Sequence, residues 1–410
     1  MLHSRQVSLI KRIFAHIDAG TTDLSASVGL NPVQAYFSSA HQSLENEHLF
    51  RRRGLLVGLT CRLQAPGDYV VDDLSGTSLL LVRTPSGRIN AFLNVCRHRG
   101  APLVQECGRG AKSFVCPYHA WSYDVEGLPR QLSPRGAFPG LSPSDRRLAR
   151  VPVTEANGLI WVHPYADVVQ PVDLQGLESE IDAYALGSLF HYETRRLCRQ
   201  MNWKIVVETF LENTHFPFLH GDTIASLFIP GLGVFEAFGE HCMIVYPRKT
   251  IHALRGQPEA TWNLLDHSVV IYVLFPNSLL IWQRDHLEVW RVFPDPSGNP
   301  AMCRAEASIY SPSLADNPKA RGHWDRNMEL LLRTVDGEDF PLAEGIQRGL
   351  SSGAQSHLTF GRHEPALIHY HAQLNKVLTM REDEPIPKSS RAFPATEIKS
   401  RESVRNFDSC

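Results

Sequence analysis

CRHRGAPLVQECGRGAKSFVCPYHAW, residues 96–121, holds two cysteines and two histidines in a repeated arrangement. Cys96-x-His98 is followed, after 17 intervening residues, by Cys116-x-x-His119. Each pair supplies one soft and one borderline ligand from a short loop. Gly100, Pro102 and Pro117 suit sharp turns in such loops. Structural zinc of the Cys2His2 kind is one reading, but zinc fingers favour Cys-x2-4-Cys and His-x3-5-His pairs. Here each pair mixes the two ligand types. That grammar suits a two-iron, two-sulfide cluster with two thiolates on one iron and two imidazoles on the other, which raises the potential above that of the all-cysteine type.

Outward from this stretch, strand-like runs at 68–72, 78–83 and 89–94 are separated by Ser75-Gly76 and Pro85-Ser86-Gly87 turn signals. The style continues through NGLIWVHP at 157–164, which predicts a small antiparallel β domain of about 110 residues. Residues 1–50 read as helical, beginning with an amphipathic helix. Beyond it, NWKIVVETFLENTHFPFLH (202–220) reads as helix up to Pro217. HCMIVYP, SVVIYVLF, SLLIWQ, LEVWRVFP and CRAEASIYS then follow at hairpin spacing and predict an antiparallel meander. RGHWDRNMELLLRTVDGEDFPLAEGIQRGL and ALIHYHAQLNKVL return to helix. The expected divisions are an N-terminal helical segment 1–45, a cluster domain 46–165, a second domain 166–382 and a poorly ordered tail 383–410.

The chain has 410 residues, enough for two or three domains at about 150 residues each. A formal net charge of −2 without a long basic block argues against nucleic acid or an anionic membrane as main partner. No run approaches a membrane span, and the first 20 residues lack the apolar core of a secretory signal. Cys61, Cys107, Cys198, Cys242, Cys303 and Cys410 lack ligand-like spacing, which fits free thiols in a reducing cytoplasm. No GxGxxG or P-loop pattern is present, so electrons must come from elsewhere.

A cluster that carries one electron at a time needs a second centre to use those electrons. His215 and His220 are candidates. On an unbroken helix they would point about 140° apart, and Pro217 between them is expected to break the helix and bring them together. His241, His252, His363, His369 and His371 lack partners at ligand spacing and read as structural.

NVCRHRGAPL…FVCPYHAWSYDVEGLP resembles the Rieske domain of Rieske non-haem iron oxygenases, the ring-hydroxylating oxygenase α-subunit family. The likeness extends over Arg97, Arg99, Gly100, Trp121, Tyr123, Asp124 and Gly127. By that resemblance Cys96 and Cys116 hold one iron, and His98 and His119 the other. The segment 202–220 resembles the family's mononuclear iron motif, with His215 and His220 as ligands. TVDGEDFPLAEGIQRGLSSG resembles its late helix, which implies Asp339 as third ligand, with Glu338 and Asp336 close enough to be mistaken for it. Two histidines and one carboxylate leave Fe(II) positions open for O2. The resemblance implies that Glu212 links an iron-bound histidine to a Rieske histidine of a neighbouring subunit. Thr214 stands where relatives often have Tyr, and Thr209 where many have Asn.

The resemblance further implies an α+β catalytic domain, a curved antiparallel sheet around a long helix (helix-grip, START/Bet v 1-like), beside the antiparallel β Rieske domain. The implied protein is a cytoplasmic terminal oxygenase component, a homotrimer with or without a small β subunit. Electrons would reach it from NAD(P)H through a reductase or ferredoxin. It would hydroxylate once or twice, or demethylate, an apolar and aromatic substrate. The apolar run GDTIASLFIPGLGVFEAF, with Phe216 just before it, suggests a pocket of Phe216, Ile224, Leu227, Phe228, Leu232 and Phe235. The alternative is a Rieske electron carrier whose second domain only binds a partner, which would not need His215, His220 and Asp339.

Overall fold

The computed structural model describes residues 1–134, 136–165 and 170–379, so the expected tail at 383–410 lies outside the described residues. Two compact units emerge. One contains Phe50–Val172 and Ala185–His191; the other contains Met1–Leu49, Asp173–Tyr184 and residues 192–379. The N-terminal residues therefore group with the second domain instead of standing as a separate segment.

The smaller unit is built from short antiparallel strands. Tyr69–Asp72, Leu79–Arg83, Ile89–Leu93 and Arg150–Val151 form one sheet, with Leu80 opposite Phe92 and Leu81 opposite Ala91. Side chains alternate across its faces. Leu80, Val82 and Phe92 pack in a core with Cys96, Cys116, Trp121 and Tyr123. Leu79, Leu81 and Ala91 pack in a second core with Val57, Ile160 and Val162. Ser113–Val115, Ser122–Asp124 and Pro129–Gln131 form a further small sheet that carries the second ligand loop. Its turn is tied by Asp124, whose Oδ1 accepts from the backbone N–H groups of Glu126 (3.0 Å) and Leu128 (2.8 Å). Gly127 has φ +76°, and a Cβ there would stand 2.5 Å from Phe92 Cε1, so only glycine fits.

The larger unit centres on a seven-stranded antiparallel sheet. Its strand order is Phe190–Arg199, Cys303–Ser311, Leu287–Pro294, Ser278–Trp282, Ser268–Leu274, His241–Pro247 and Val234–Phe238. The five inner strands are the predicted meander. The two flanking strands were not foreseen. Phe190–Arg199 carries five charged residues or histidines among partly exposed positions, as befits an edge that packs on one side only. A helical run from Pro318 to Leu350 is α-helical at both ends and wide-turned over Leu332–Asp339. The first helix, His3–Ala19, buries Gln6, Leu9, Ile10 and Ile13 as one stripe and ends at Gly20, φ +62°.

The helix that leads to the histidines is Trp203–Glu208, capped by the Asn202 side chain. It is anchored by Glu45, which takes Trp203 Nε1 at 2.8 Å and the buried Lys204 ammonium at 2.5 Å. Burial alone would raise the Glu45 carboxyl, but Lys204 and His41 hold it below its ordinary pKa. Asn202, Trp203 and Lys204 thus fix the helix and hold no metal. The helix ends at Glu208, earlier than Pro217. Pro217 lies in the first turn of a second short helix, Phe216–Leu219, where a missing N–H costs nothing. Among the described residues, no helix is long and apolar enough to cross a membrane.

Candidate metal centres

In the smaller unit two loops of like construction face each other. Cys96 N donates to Ala101 O (2.8 Å) while Gly100 N donates to Cys96 O (3.0 Å). Cys116 N donates to Trp121 O (2.8 Å) while Ala120 N donates to Cys116 O (3.0 Å). Gly100 and Ala120 both adopt positive φ, +77° and +58°. The first loop offers its histidine two residues after the cysteine, the second three. Both cysteines are buried and both histidines half-buried. The His98 and His119 rings lie 4.6 Å apart, and His98 stacks on Trp121 at 4.7 Å and 8°. Tyr123 Oη lies 3.4 Å from Cys96 Sγ and accepts from Arg97 N at 3.1 Å. His98 Nδ1 is buried with no hydrogen-bond partner. Two buried thiols, two adjacent imidazoles and an orphaned ring nitrogen fit a cluster bound through two sulfurs and two nitrogens.

In the larger unit, one helical turn separates His215 from His220, and their rings come within 5.0 Å at 69°. Asp339 reaches this pair from the wide-turned segment, buried, with Oδ1 3.6 Å from His215 Nε2 and 3.1 Å from His220 Nε2. One ligand atom from each residue lies within 4.8 Å of the others. Wide helical turns recur at functional sites because they re-aim side chains. Here the turn lets neighbours Glu338 and Asp339 address opposite nitrogens of one ring. Glu338 Oε2 takes His220 Nδ1 at 2.6 Å and Thr223 Oγ1 at 2.7 Å. Glu212 binds His215 Nδ1 and accepts from Thr214 N at 2.6 Å. Both imidazoles therefore present Nε2 to the centre with Nδ1 held by a carboxylate, an arrangement that fixes ring orientation and basicity at metal sites.

Burial pulls the His220 ring towards neutrality, but Asp339 and Glu338 outweigh it and raise its pKa. Burial likewise would raise the Glu212 carboxyl, and His215 and Thr214 hold it down instead. Glu208 turns away, accepting from Tyr36 Oη (2.8 Å) and bonded to His371 Nε2 (2.9 Å). Asp336 is taken by Arg199. His241 bonds Asp173 O at 2.9 Å. The sequence placed Glu338 near the site without a task; its role needs the register of a distant helix against His220.

A cavity of about 320 Å³ opens at the three donors. Phe216, Ile224, Leu227 and Phe228 line it, with Val269, Ile271, Ile281, Leu331 and Val335. Leu232 and Phe235 do not. Leu232 is buried elsewhere, its carbonyl held by Asn213 (3.0 Å), and Phe235 lies in the edge strand with its ring 5.6 Å from His369. Past the apolar wall the lining turns polar: Arg248, Gln283, Arg284, Asp285, His286, Glu288, His323 and Asn327. The sequence reading missed this group, whose only signal was the polar interruption Gln283-Arg284-Asp285-His286 between two apolar strands. Thr209 also lines the cavity, its hydroxyl bonded back to Ile205 O (3.0 Å).

Fold and donors together define a metalloprotein with two centres, a cysteine–histidine site on a small β unit and a two-histidine, one-carboxylate site on a larger α+β unit. Residues 55–141 match the Rieske [2Fe-2S] domain, and residues 181–380 match the ring hydroxylating alpha subunit (catalytic domain). The chain belongs to the Rieske non-haem iron oxygenase family. It is 31% identical over 193 residues to a glycine betaine monooxygenase oxygenase subunit of Chromohalobacter salexigens, covering 45% of this chain and 42% of that protein. It is 29% identical over 253 residues to a biphenyl 2,3-dioxygenase subunit alpha of Rhodococcus jostii, covering 60% and 52%. It is 25% identical over 364 residues to a chloroplastic choline monooxygenase of Beta vulgaris, covering 85% and 76%. The first two matches span about half the length of those relatives. A quaternary ammonium Rieske monooxygenase bound to L-carnitine shares the fold at TM-score 0.71 and 18% identity, over 85% of this chain and 96% of that one.

Proposed function

We propose that this chain is the terminal oxygenase component of a Rieske-type oxygenase system. The observation that carries this reading is the convergence of His215, His220 and Asp339 at one end of a largely apolar cavity, each imidazole backed by its own carboxylate. In this reading Cys96, Cys116, His98 and His119 hold the cluster, and His215, His220 and Asp339 hold Fe(II). When filled, the two centres supply one-electron transfer and reductive activation of O2. Hydroxylating one C–H bond consumes O2, two electrons and two protons and yields the alcohol and water. The electrons come from NAD(P)H through a separate reductase or ferredoxin.

The chain's own residues prepare that chemistry. Glu212 and Glu338 keep both rings in the tautomer that offers Nε2. The apolar wall of Phe216, Ile224, Leu227 and Phe228 excludes water and seats a largely hydrocarbon body, aromatic or not, since relatives are named for glycine betaine, choline and biphenyl. The half-exposed imidazole edge of the Rieske unit is the natural exit for electrons. Phe218, 89% exposed on the turn between His215 and His220, gives that turn an open apolar surface. A homotrimer in which one chain's His119 serves the next chain's Glu212 and His215 would use both features.

Iron analysis tests the assignment. Wild-type protein should hold about three irons per chain. Asp339→Ala should fall to about two, keep the Rieske spectrum and lose hydroxylation with a supplied reductase. A wild-type content of two irons would make the chain an electron carrier instead.

A further inference from the structure

The cavity runs along one face of the 318–350 helix. His323, Asn327, Leu331, Val335 and Asp339 recur every four residues along its wall, with Leu330 beside Leu331. His323 lies in the α-helical part of this run and Asp339 at the end of its wide-turned part. The metal donors occupy one end of this stripe and the polar group the other, with apolar side chains between.

The polar end is one connected network. Arg248 donates to Gln283 Oε1 (2.9 Å), and Gln283 donates to Glu288 Oε1 (3.0 Å). His286 lies between Glu288 (3.6 Å) and Asp285 (2.9 Å), and Asp285 takes His323 at 2.8 Å. Both carboxylates are thus engaged by partners within the network. Among the described residues, the two arginines are not paired with a carboxylate. Arg248 spends one donor on a neutral amide, its Nε is buried without a partner, and no carboxylate pairs with it among the described residues. Its guanidinium lies 4.9 Å from the Phe228 ring centre, Phe228 is 5.3 Å from Phe216, and Phe216 is 5.0 Å from His215. A backbone bridge between Phe228 and Arg248 holds the pair in place. Arg284, exposed to solvent, adds a second positive charge at this end of the cavity. The unmet demand at this end is therefore for negative charge. A quaternary ammonium would find Phe228's face already covered by Arg248 and the anions already engaged.

We propose that this chain's substrate is an elongated, largely apolar molecule bearing a carboxylate, held with the carboxylate on Arg248 and the apolar body against Phe228 and Phe216, so that its far end meets His215, His220 and Asp339. This rests on the reading of that trio as the oxidising centre. Guanidinium is the side chain best shaped to take a carboxylate through two parallel N–H bonds.

Calorimetric binding to the iron-loaded protein tests it without turnover. The probes are phenylacetate, phenylbutyrate and phenylhexanoate, each beside its amide and its trimethylammonium analogue of matched length. For at least one length the acid should bind about ten- to a hundredfold tighter than either analogue, as a charge-assisted bond to a partly buried cation supplies. Arg248→Gln should reduce that acid to the level of its amide, and Arg248→Lys should keep the preference in part. Equal or reversed preference at every length, including no binding by any acid, overturns the proposal. An acid preference that survives Arg248→Gln overturns it as well. Iron content measured on the same samples tests the oxidising centre separately, so a two-iron protein that still prefers acids would sink the functional reading and leave the anion site standing.

Discussion

Removing Glu338 isolates the part of the metal site that sequence could not assign. Its Oε2 accepts from His220 Nδ1 at 2.6 Å and from Thr223 Oγ1 at 2.7 Å, while Asp339 addresses the opposite nitrogen of the same ring. A hydrogen bond to a charged acceptor contributes about 1.5–3 kcal/mol, or roughly ten- to a hundredfold in affinity. Loss of such a partner behind a metal-bound histidine costs about the same factor. Glu338→Ala should therefore weaken the mononuclear iron by that factor, while Glu338→Gln, which keeps an acceptor for Nδ1–H, should retain much of it. The assay is iron per chain across a chelator titration, with the Rieske paramagnetic resonance signal as internal control. Iron held by Glu338→Ala as tightly as by wild type refutes the backing role. Iron lost from Glu338→Ala but kept in Asp339→Ala would make Glu338 the ligand.

Four further outcomes are expected. Cys116→Ser should abolish the visible Rieske spectrum and leave the mononuclear iron in place, as metal analysis would show. Tyr123→Phe removes the phenol 3.4 Å from Cys96 Sγ, which favours the reduced, more electron-rich cluster; at about 0.5–1.5 kcal/mol per bond the potential should fall by roughly 20–65 mV by voltammetry. The His286 pKa is raised to about 9 because Asp285 and Glu288 outweigh its burial, and that of Asp285 is lowered to about 2 by His286 and His323. A raised folded pKa stabilises fully below the unfolded value near 6.5 and is lost as pH climbs through about 9; the Tm gap between wild type and His286→Gln should thus be widest near neutral-to-acid pH and close above pH 9, and a gap constant with pH would contradict it. Glu212→Ala should keep the Rieske cluster, weaken the mononuclear iron as Glu338→Ala does, and nearly stop product formation even when iron is resupplied; co-expressed His119→Ala and Asp339→Ala chains should regain part of the activity if transfer crosses subunits, and fully inactive mixed oligomers would confine it to one chain.

The two cysteine–histidine loops were legible because each carries its own geometry. Cys96 and His98, or Cys116 and His119, sit within one turn whose internal hydrogen bonds close over five and six residues. The inner strands were legible for a similar reason: a half- or fully buried strand writes its burial into its own residues, as Leu79–Arg83 and Ser268–Leu274 do. Edge strands such as Phe190–Arg199 pack on one side only and carry charge, so their sequence reads as loop.

What the sequence by itself determined is therefore the two cysteine–histidine loops, His215 and His220 as a local pair, and the hairpin meander, all set by contacts within a few residues or by alternation. Tertiary structure alone decided three things. It set which acid of Asp336, Glu338 and Asp339 faces which nitrogen, because a wide helical turn more than 110 residues from His220 fixes their angles. It sent Glu208 away from the iron site, because Tyr36 and His371 claim it from opposite ends of the chain. And it joined Arg248, Gln283, Asp285 and His323 into one polar end of the cavity, because residues from two strand ends and a helix meet only when the sheet and the 318–350 helix pack together.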